Sequence, residues 1–159
     1  MASYRQQIER TRRYLIRLEQ MYSGAVHNRP NEELLDDVYT CFENCYHVKD
    51  WLKNDTTFTK RSPEEIENYV TNTPELAITA DICNAQKHFS LNRIPRSGAL
   101  PIAKPAEIIV ELSDSFGAES DVDEPVTISI RVYYEHNGTI YDALDLARAA
   151  MKAWDFFTI

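Results

Sequence analysis

Apolar residues recur at steps of three and four along most of this chain, which is the spacing of amphipathic helices. The first such run predicts a helix over residues 3–26, whose apolar side carries Ile8, Leu15, Leu18, Tyr22 and Ala25. The segment Arg29-Pro30-Asn31-Glu32-Glu33 then combines a helix breaker with acidic first-turn residues. A second helix is therefore expected to begin after Pro30.

The second helix has two apolar stripes that lie about 110° apart at 100° per residue. The first stripe consists of Leu34, Val38, Cys41, Cys45, Val48 and Leu52, and the second of Leu35, Tyr39, Phe42 and Tyr46. A helix with two apolar stripes packs against two neighbours, as in helical bundles. The remaining third of its surface carries polar residues, among them Glu43, His47 and Asp50.

Two more helix starts follow closely. Ser62-Pro63-Glu64-Glu65 is a capping box with proline at the first helical position, and it predicts a short helix to about Asn72. Thr73-Pro74-Glu75 repeats the signal and predicts a helix to about Asn92. This fourth helix also has two apolar stripes, one with Ile78, Ile82, Ala85 and Phe89 and the other with Leu76, Ala80 and Cys83.

After residue 105 the apolar period changes from helical to alternating. Residues 93–105 contain three prolines and a glycine, which predicts a connector without helix. Alternation around Ile108 and again around Ile130 predicts two strands of a β-hairpin, with a tight turn at Asn137-Gly138 and a last helix from Asp142. The expected fold is mainly α: one domain over residues 1–159, with four long helices, a short one, and a hairpin insertion at about 106–140.

The charge balance limits the partners. A net charge of −8 disfavours non-specific adhesion to nucleic acid or anionic lipid, and no sequence-specific DNA binding is expected. The charge is uneven, however, because the first helix is basic through Arg5, Arg10, Arg12, Arg13 and Arg17, whereas residues 114–124 are acidic. No apolar leader, membrane segment or disulfide framework is visible, so a cytoplasmic protein with three reduced cysteines is expected.

Candidate chemistry lies on polar strips of the second and fourth helices. Asp81, Asn84 and His88 are neighbours on one helix face, where His88 would act as general acid or base and the other two would orient it. The alternative is a polar seam with structural hydrogen bonds. His47 and Asp50 are spaced similarly, and if the two strips faced each other they would suit Zn, Mn or Fe.

Neither a metal site nor a cofactor is the favoured interpretation. The spacing differs from His-Glu-x-x-His, and four glycines supply no phosphate loop. Lys49, Lys53 and Lys87 offer phosphate contacts, but lysines scattered in this way are expected to be solvated.

The segment Cys83-Asn84-Ala85-Gln86-Lys87-His88 resembles the Arg-Asn-x-x-x-His signature of HEPN domains, helical bundles of RNA-cleaving toxins, defence proteins and nucleotidyltransferase partners. In active members the Arg and His act on the RNA phosphodiester. Here Asn84 and His88 match, whereas Cys83 replaces the Arg and cannot stabilise a phosphorane charge. The wider pattern around His47 and His88 is also similar to uncharacterised small bacterial proteins.

Three functions follow as hypotheses. The first is a non-catalytic HEPN-like module that binds a partner protein or RNA as a homodimer, with an isologous interface near His88, as the resemblance implies. The second is an RNA-acting enzyme that uses His88 and Asn84, with His47 from a facing helix or a dimer mate. The third is a metal-dependent enzyme with His47, Asp50, Asp81 and His88.

Overall fold

The computed structural model describes residues 3–24, 31–87, 94–112 and 126–159. The mainly helical fold with a β insertion before the last helix is confirmed. The five helices of the described ranges are α1 Tyr4–Tyr22, α2 Asn31–Asn54, α3 Pro63–Asn72, α4 Pro74–Lys87 and α5 Ala143–Thr158. The strands are β1 Ile102–Ala103, β2 Glu107–Leu112, β3 Val126–Arg131, β4 Tyr133–His136 and β5 Thr139–Asp142.

The helix starts follow the local signals in the sequence. Ser62 and Glu65 form a reciprocal capping box at α3, with Pro63 at the first helical position. At α5 the Asp142 carboxylate accepts hydrogen bonds from the amides of Leu144 and Asp145, which satisfies two donors at the helix start. These caps use only neighbouring residues, and for that reason the sequence reveals them.

The first predicted helix is shorter than expected. α1 ends at Tyr22, because Ser23 caps it and Gly24 adopts a positive φ of 79° that a helix cannot continue. Residues 25 and 26 of the predicted first helix and the predicted end of the fourth helix, at residues 88–92, lie outside the described residues.

The helices enclose a hydrophobic core, and α2 contributes to it from both of its apolar stripes. All six residues of its first apolar stripe are buried, whereas in the second stripe Phe42 is buried and the others are partly exposed. α1 packs mainly on α2, and α5 touches α1, α2 and α4. On α4, Ala85 is exposed rather than packed, so its place in the predicted stripe is wrong, while Phe89 of the same stripe lies outside the described residues.

The β region is more elaborate than the predicted hairpin. β2 and β3 do pair antiparallel, with Ile108 opposite Ile130, but a second sheet has the order β1-β4-β5. The break between the sheets is Val132, whose amide donates to the Tyr22 hydroxyl and whose carbonyl accepts from it at 3.1 Å. A helix side chain thus replaces the missing ladder partner. The turn between β4 and β5 is Asn137-Gly138, both at positive φ, as predicted.

Candidate functional site

Asp81, the first residue of the predicted polar strip, is buried and holds the connector that follows α4. Its carboxylate accepts hydrogen bonds from the amides of Arg96 at 2.9 Å and Ser97 at 2.8 Å. The Ser97 hydroxyl donates a third bond at 2.6 Å. With only 1% of the residue exposed and three donors in place, this carboxylate is fully engaged. The geometry supports the structural alternative for Asp81.

Asn84, one turn further along α4, is buried with an unused donor. Its residue is 8% exposed, and its Nδ2 has no hydrogen-bond acceptor in the part of the chain that is described. His88, the third member of the strip, lies outside the described residues. Its placement beside Asn84, and any approach to His47, therefore stay predictions.

Asp50 belongs to an ion-pair network that joins α2, α3 and the connector. The network consists of Lys49, Asp50, Lys53, Glu67 and Arg96. Lys49 lies 2.8 Å from Asp50 and 3.2 Å from Glu67, and Arg96 lies 2.6 Å from the other Glu67 oxygen. Partial burial would raise the pKa of Asp50, but hydrogen bonds from Lys49 and Lys53 outweigh it and lower that pKa. Asp50 is thus a paired carboxylate that is a poor proton donor near neutral pH.

The expectation that Lys49 is solvated is wrong, since the residue is buried. Its ammonium group lies 4.7 Å from the centroid of the Tyr46 ring, and the Arg96 guanidinium lies 6.0 Å from the same ring. Carboxylates and an aromatic face together replace the water that a buried ammonium loses. Lys53 joins the same network, whereas the side chain of Lys87 is outside the described part of the structure.

Glu67 is the centre of the network and makes it sensitive to acid. Partial burial would raise its pKa, but hydrogen bonds from Lys53, Arg96 and Lys49 lower it to about 2. A carboxylate with a pKa below its unfolded value of roughly 4.3 stabilises the fold above that value, and the contribution is lost as the pH falls towards 2. We expect Glu67→Gln to lower Tm at pH 7 by roughly 2–4 °C. The variant should also lose less of its Tm than the wild type between about pH 5 and pH 2.

Thermal melts across that pH range measure both effects. Glu64→Gln on the same helix is the matched control, because Glu64 is exposed and should leave the pH profile unchanged. Parallel profiles of wild type and Glu67→Gln would show that the network contributes nothing to acid sensitivity.

His47 lies partly exposed on the outer side of α2. Its ring centroid is 6.3 Å from that of Tyr46. Within the described ranges, no three His, Cys, Asp or Glu side chains form a group that could hold a metal ion. Asp50 and Asp81 have other partners, so the described members of the proposed metal set do not converge.

The three cysteines are free thiols, two of them buried and Cys83 partly so. Burial raises the pKa of Cys41 to about 12 and that of Cys83 well above its ordinary value. Cys83 is therefore a neutral thiol at the position where the HEPN signature has an arginine, and it has neither positive charge nor thiolate reactivity.

The basic side of α1 divides into paired and unpaired arginines. Arg12 pairs with Glu9 and with Asp155 of α5. By contrast, Arg10, Arg13 and Arg17 are exposed, spaced at i, i+3 and i+7, and without an ion pair to any described residue. We call these three residues the arginine stripe.

Aromatic rings accompany the arginine stripe. The Arg17 guanidinium lies 4.9 Å from the centroid of the Tyr14 ring, and that of Arg10 lies 5.5 Å from the centroid of the Trp51 ring. Trp51 is partly exposed and packs against neither hydrophobic cluster of the described chain. Trp154, the other tryptophan, is completely buried.

Sequence reasoning missed Glu67 and Arg96, and it did not separate the arginine stripe from the other arginines. Glu67 and Arg96 are 29 residues apart and meet only through tertiary packing, so no local pattern indicates them. The spacing of Arg10, Arg13 and Arg17 can be read from the sequence. Arg12 could not be separated from them, because its acidic partner Asp155 is on α5 and only the structure shows that contact.

Comparison with known proteins adds no information about function, so any functional interpretation rests on the residues described above. No protein-family model matches the chain, and no curated protein or solved structure is significantly similar to it. No helix in the described ranges is both long and apolar enough to cross a bilayer. Among the described residues, the arginine stripe with its aromatic neighbours is a surface on which three cations of one helix have no carboxylate partner.

Proposed function

We propose that this chain is a non-catalytic, HEPN-like helical module that binds RNA through the arginine stripe. The observation that carries the proposal is that three neighbouring arginines on one side of α1 have no ion pair to any described residue, although acidic residues outnumber basic ones by 25 to 17. Neighbouring cations repel one another, and a phosphate backbone relieves that repulsion with charge-assisted hydrogen bonds. The net charge of −8 repels polyanions elsewhere on the surface and so confines binding to this face.

The dimensions of the arginine stripe suit a nucleic-acid strand. Arg10 and Arg17 are seven residues apart, which is about 10 Å along a helix. Phosphates of a stacked strand follow at roughly 3.4 Å along the axis, so the stripe spans about three of them. The adjoining Trp51 ring favours RNA over an acidic protein partner, because bases stack on aromatic side chains.

Removing the charges of the arginine stripe should abolish most of the binding. We expect the triple variant Arg10→Gln, Arg13→Gln, Arg17→Gln to bind a fluorescein-labelled 20-nucleotide RNA at least about 10-fold more weakly at low salt. The slope of log affinity against log salt should fall by about 2, because each lost phosphate contact accounts for about 0.7 in a single strand. Fluorescence anisotropy at several salt concentrations measures both quantities.

The control variant removes the same charge from another surface. Arg61→Gln, Arg148→Gln, Lys152→Gln changes three exposed cations, one in the loop before α3 and two on α5, and it should bind RNA as the wild type does or slightly more weakly. If the two triple variants lost RNA affinity equally, the loss would follow from the change in net charge, and the proposal of a specific binding surface would be contradicted. If the protein bound an acidic peptide tightly and did not bind RNA, the ligand of the arginine stripe would be an acidic protein and not RNA.

A second candidate is an RNA-acting enzyme, which the unused buried donor of Asn84 favours. In that case the RNA should be cut, and His88→Ala or Asn84→Ala should stop the cleavage. We expect instead that the wild type leaves RNA intact with and without a chelator, because Asp81 and Asp50 have structural partners and Cys83 carries no charge. Wild-type cleavage lost in His88→Ala would establish the enzyme.

The homodimer is proposed on the HEPN resemblance alone, since His88 lies outside the described residues. Light scattering at micromolar protein should give twice the chain mass of 18.4 kDa. A clean monomer would contradict the dimer without affecting the RNA proposal.

We also propose a cytoplasmic location. The free state of Cys41, Cys45 and Cys83 is the form that a reducing compartment maintains. RNA is available as a ligand in that compartment.

A further inference from the structure

We propose that Trp51 is a base-stacking residue, through which the arginine stripe selects single-stranded over double-stranded RNA. This inference rests on the proposed function and adds to it the form of the RNA and the residue that distinguishes it. It starts from a large aromatic side chain that the fold does not use for its core.

The position of Trp51 on α2 is unusual for a tryptophan. Both apolar stripes of this helix pack against neighbours, yet the indole ring of Trp51 belongs to neither hydrophobic cluster of the described residues. Tryptophan is one of the largest apolar side chains and is on average highly buried. A partly exposed indole beside unpaired cations has the composition of a single-strand binding surface, where aromatic rings alternate with positive charge.

A chain of hydrogen bonds fixes the cation next to this ring. The Arg10 guanidinium donates to the Gln7 side-chain oxygen at 3.0 Å and lies 5.5 Å from the Trp51 centroid. Gln7 is completely buried, and its amide donates to the backbone and side-chain oxygens of Asn44 at 2.8 and 3.1 Å. Asn44 in turn donates to the Thr40 carbonyl at 2.8 Å. The hydrogen bond to Gln7 and the contact with Trp51 reduce the conformational entropy that Arg10 loses on binding, which is the advantage of a preorganised contact.

The Arg10 guanidinium lies over the Trp51 ring, which combines a cation that contacts phosphate with planar groups on which a base can stack, the two contacts that one unpaired nucleotide requires. In a duplex every base is stacked between its neighbours and paired, so an indole has no base to stack on except at the ends. A duplex therefore retains only the phosphate contacts of the arginine stripe. An unpaired strand adds stacking, which is sequence-tolerant because every base has a π face.

The test measures the affinity of three proteins, the wild type and two variants, for one RNA in its single-stranded and double-stranded forms. A labelled 20-nucleotide strand and its blunt duplex are titrated at equal salt with wild type, Trp51→Phe and Trp51→Ala. We expect the wild type to bind the single strand about 10-fold more tightly than the duplex, the factor that one stacked base supplies. Trp51→Ala should lose this preference and leave duplex affinity unchanged, whereas Trp51→Phe should retain most of it.

Intrinsic fluorescence provides a second readout, because the chain has only two tryptophans. Trp154 is completely buried and gives a constant background. Stacking of a base on Trp51 should quench part of the emission of the wild type on titration with the unlabelled single strand. The quenching should disappear in Trp51→Phe, although that variant still binds.

The outcomes separate this inference from the proposed function. Binding that depends on the arginine stripe but is equal for both RNA forms, or is unchanged by Trp51→Ala, overturns the stacking role and leaves the RNA module standing. Failure of the wild type to bind either form overturns both proposals. A circular-dichroism melt of Trp51→Ala like that of the wild type shows that lost affinity is not lost fold.

Discussion

Replacing Trp154 with alanine is expected to lower the free energy of unfolding by about 3–5 kcal/mol, the largest effect of any single change considered for this protein. The side chain is completely buried, and its ring lies 6.0 Å from those of Tyr69 and Phe157. Its Nε1 donates to the Cys45 carbonyl at 2.9 Å, which ties α5 to α2. Alanine leaves a cavity where α2, α3 and α5 meet and removes that bond.

Urea denaturation followed by circular dichroism measures the loss. Trp51→Ala is the matched control, since it removes the same side chain from a position outside both core clusters and should cost less than about 1 kcal/mol. Equal destabilisation by the two changes would mean that Trp51 is a packing residue, and the stacking role would lose its basis.

Asp81→Asn is expected to cost about 2–4 kcal/mol, although it changes neither size nor shape. The carboxylate oxygens accept three hydrogen bonds from Arg96 and Ser97, and an asparagine amide turns one acceptor into a donor that faces other donors. Hydrogen bonds to a charged partner contribute roughly 1.5–3 kcal/mol, and a buried donor without an acceptor adds its desolvation penalty. The connector after α4 should loosen, and with it the contact of Arg96 with Glu67.

Asp36→Asn is the control, because Asp36 is exposed on α2 and should stay within about 0.5 kcal/mol of the wild type. Thermal or urea unfolding compares the two variants. If Asp81→Asn unfolds like the wild type but changes RNA binding or cleavage, Asp81 has a role at a functional site, and the structural interpretation given to it is wrong.

The helices could be predicted from the sequence because their signals are local. The capping residues Ser62 and Asp142, the proline at the start of α3 and the turn at Asn137-Gly138 each act within four residues. The first apolar stripe on α2 was equally predictable, because apolar residues at a 3.6-residue period indicate the buried side of a helix, and all six of its residues are buried.

The features that could not be predicted depend on contacts between residues that are distant in sequence. The division of the β region into two sheets occurs at Val132 and requires the hydroxyl of Tyr22, 110 positions earlier. Lys49 was expected to be solvated, because its carboxylate partner Glu67 reaches it only when α3 packs on α2. Asp81 and Asn84 of the predicted polar strip lie on α4, but the chemistry of the strip depends on which donors reach it, and for Asp81 these come from the connector.

The hydroxyl of Tyr22 has a further consequence for how this chain folds. α1 is synthesised before the other elements described above, yet Tyr22, Arg12 and Glu19 contact residues 110 to 143 positions later. A fold with many such distant contacts has a high contact order for a helical protein, and such proteins fold more slowly than bundles whose helices pair in sequence. During translation the apolar side of α1 can pack against α2 before β3 and α5 are synthesised. Its remaining contacts, with β3 and α5, form only after the last third of the chain has left the ribosome.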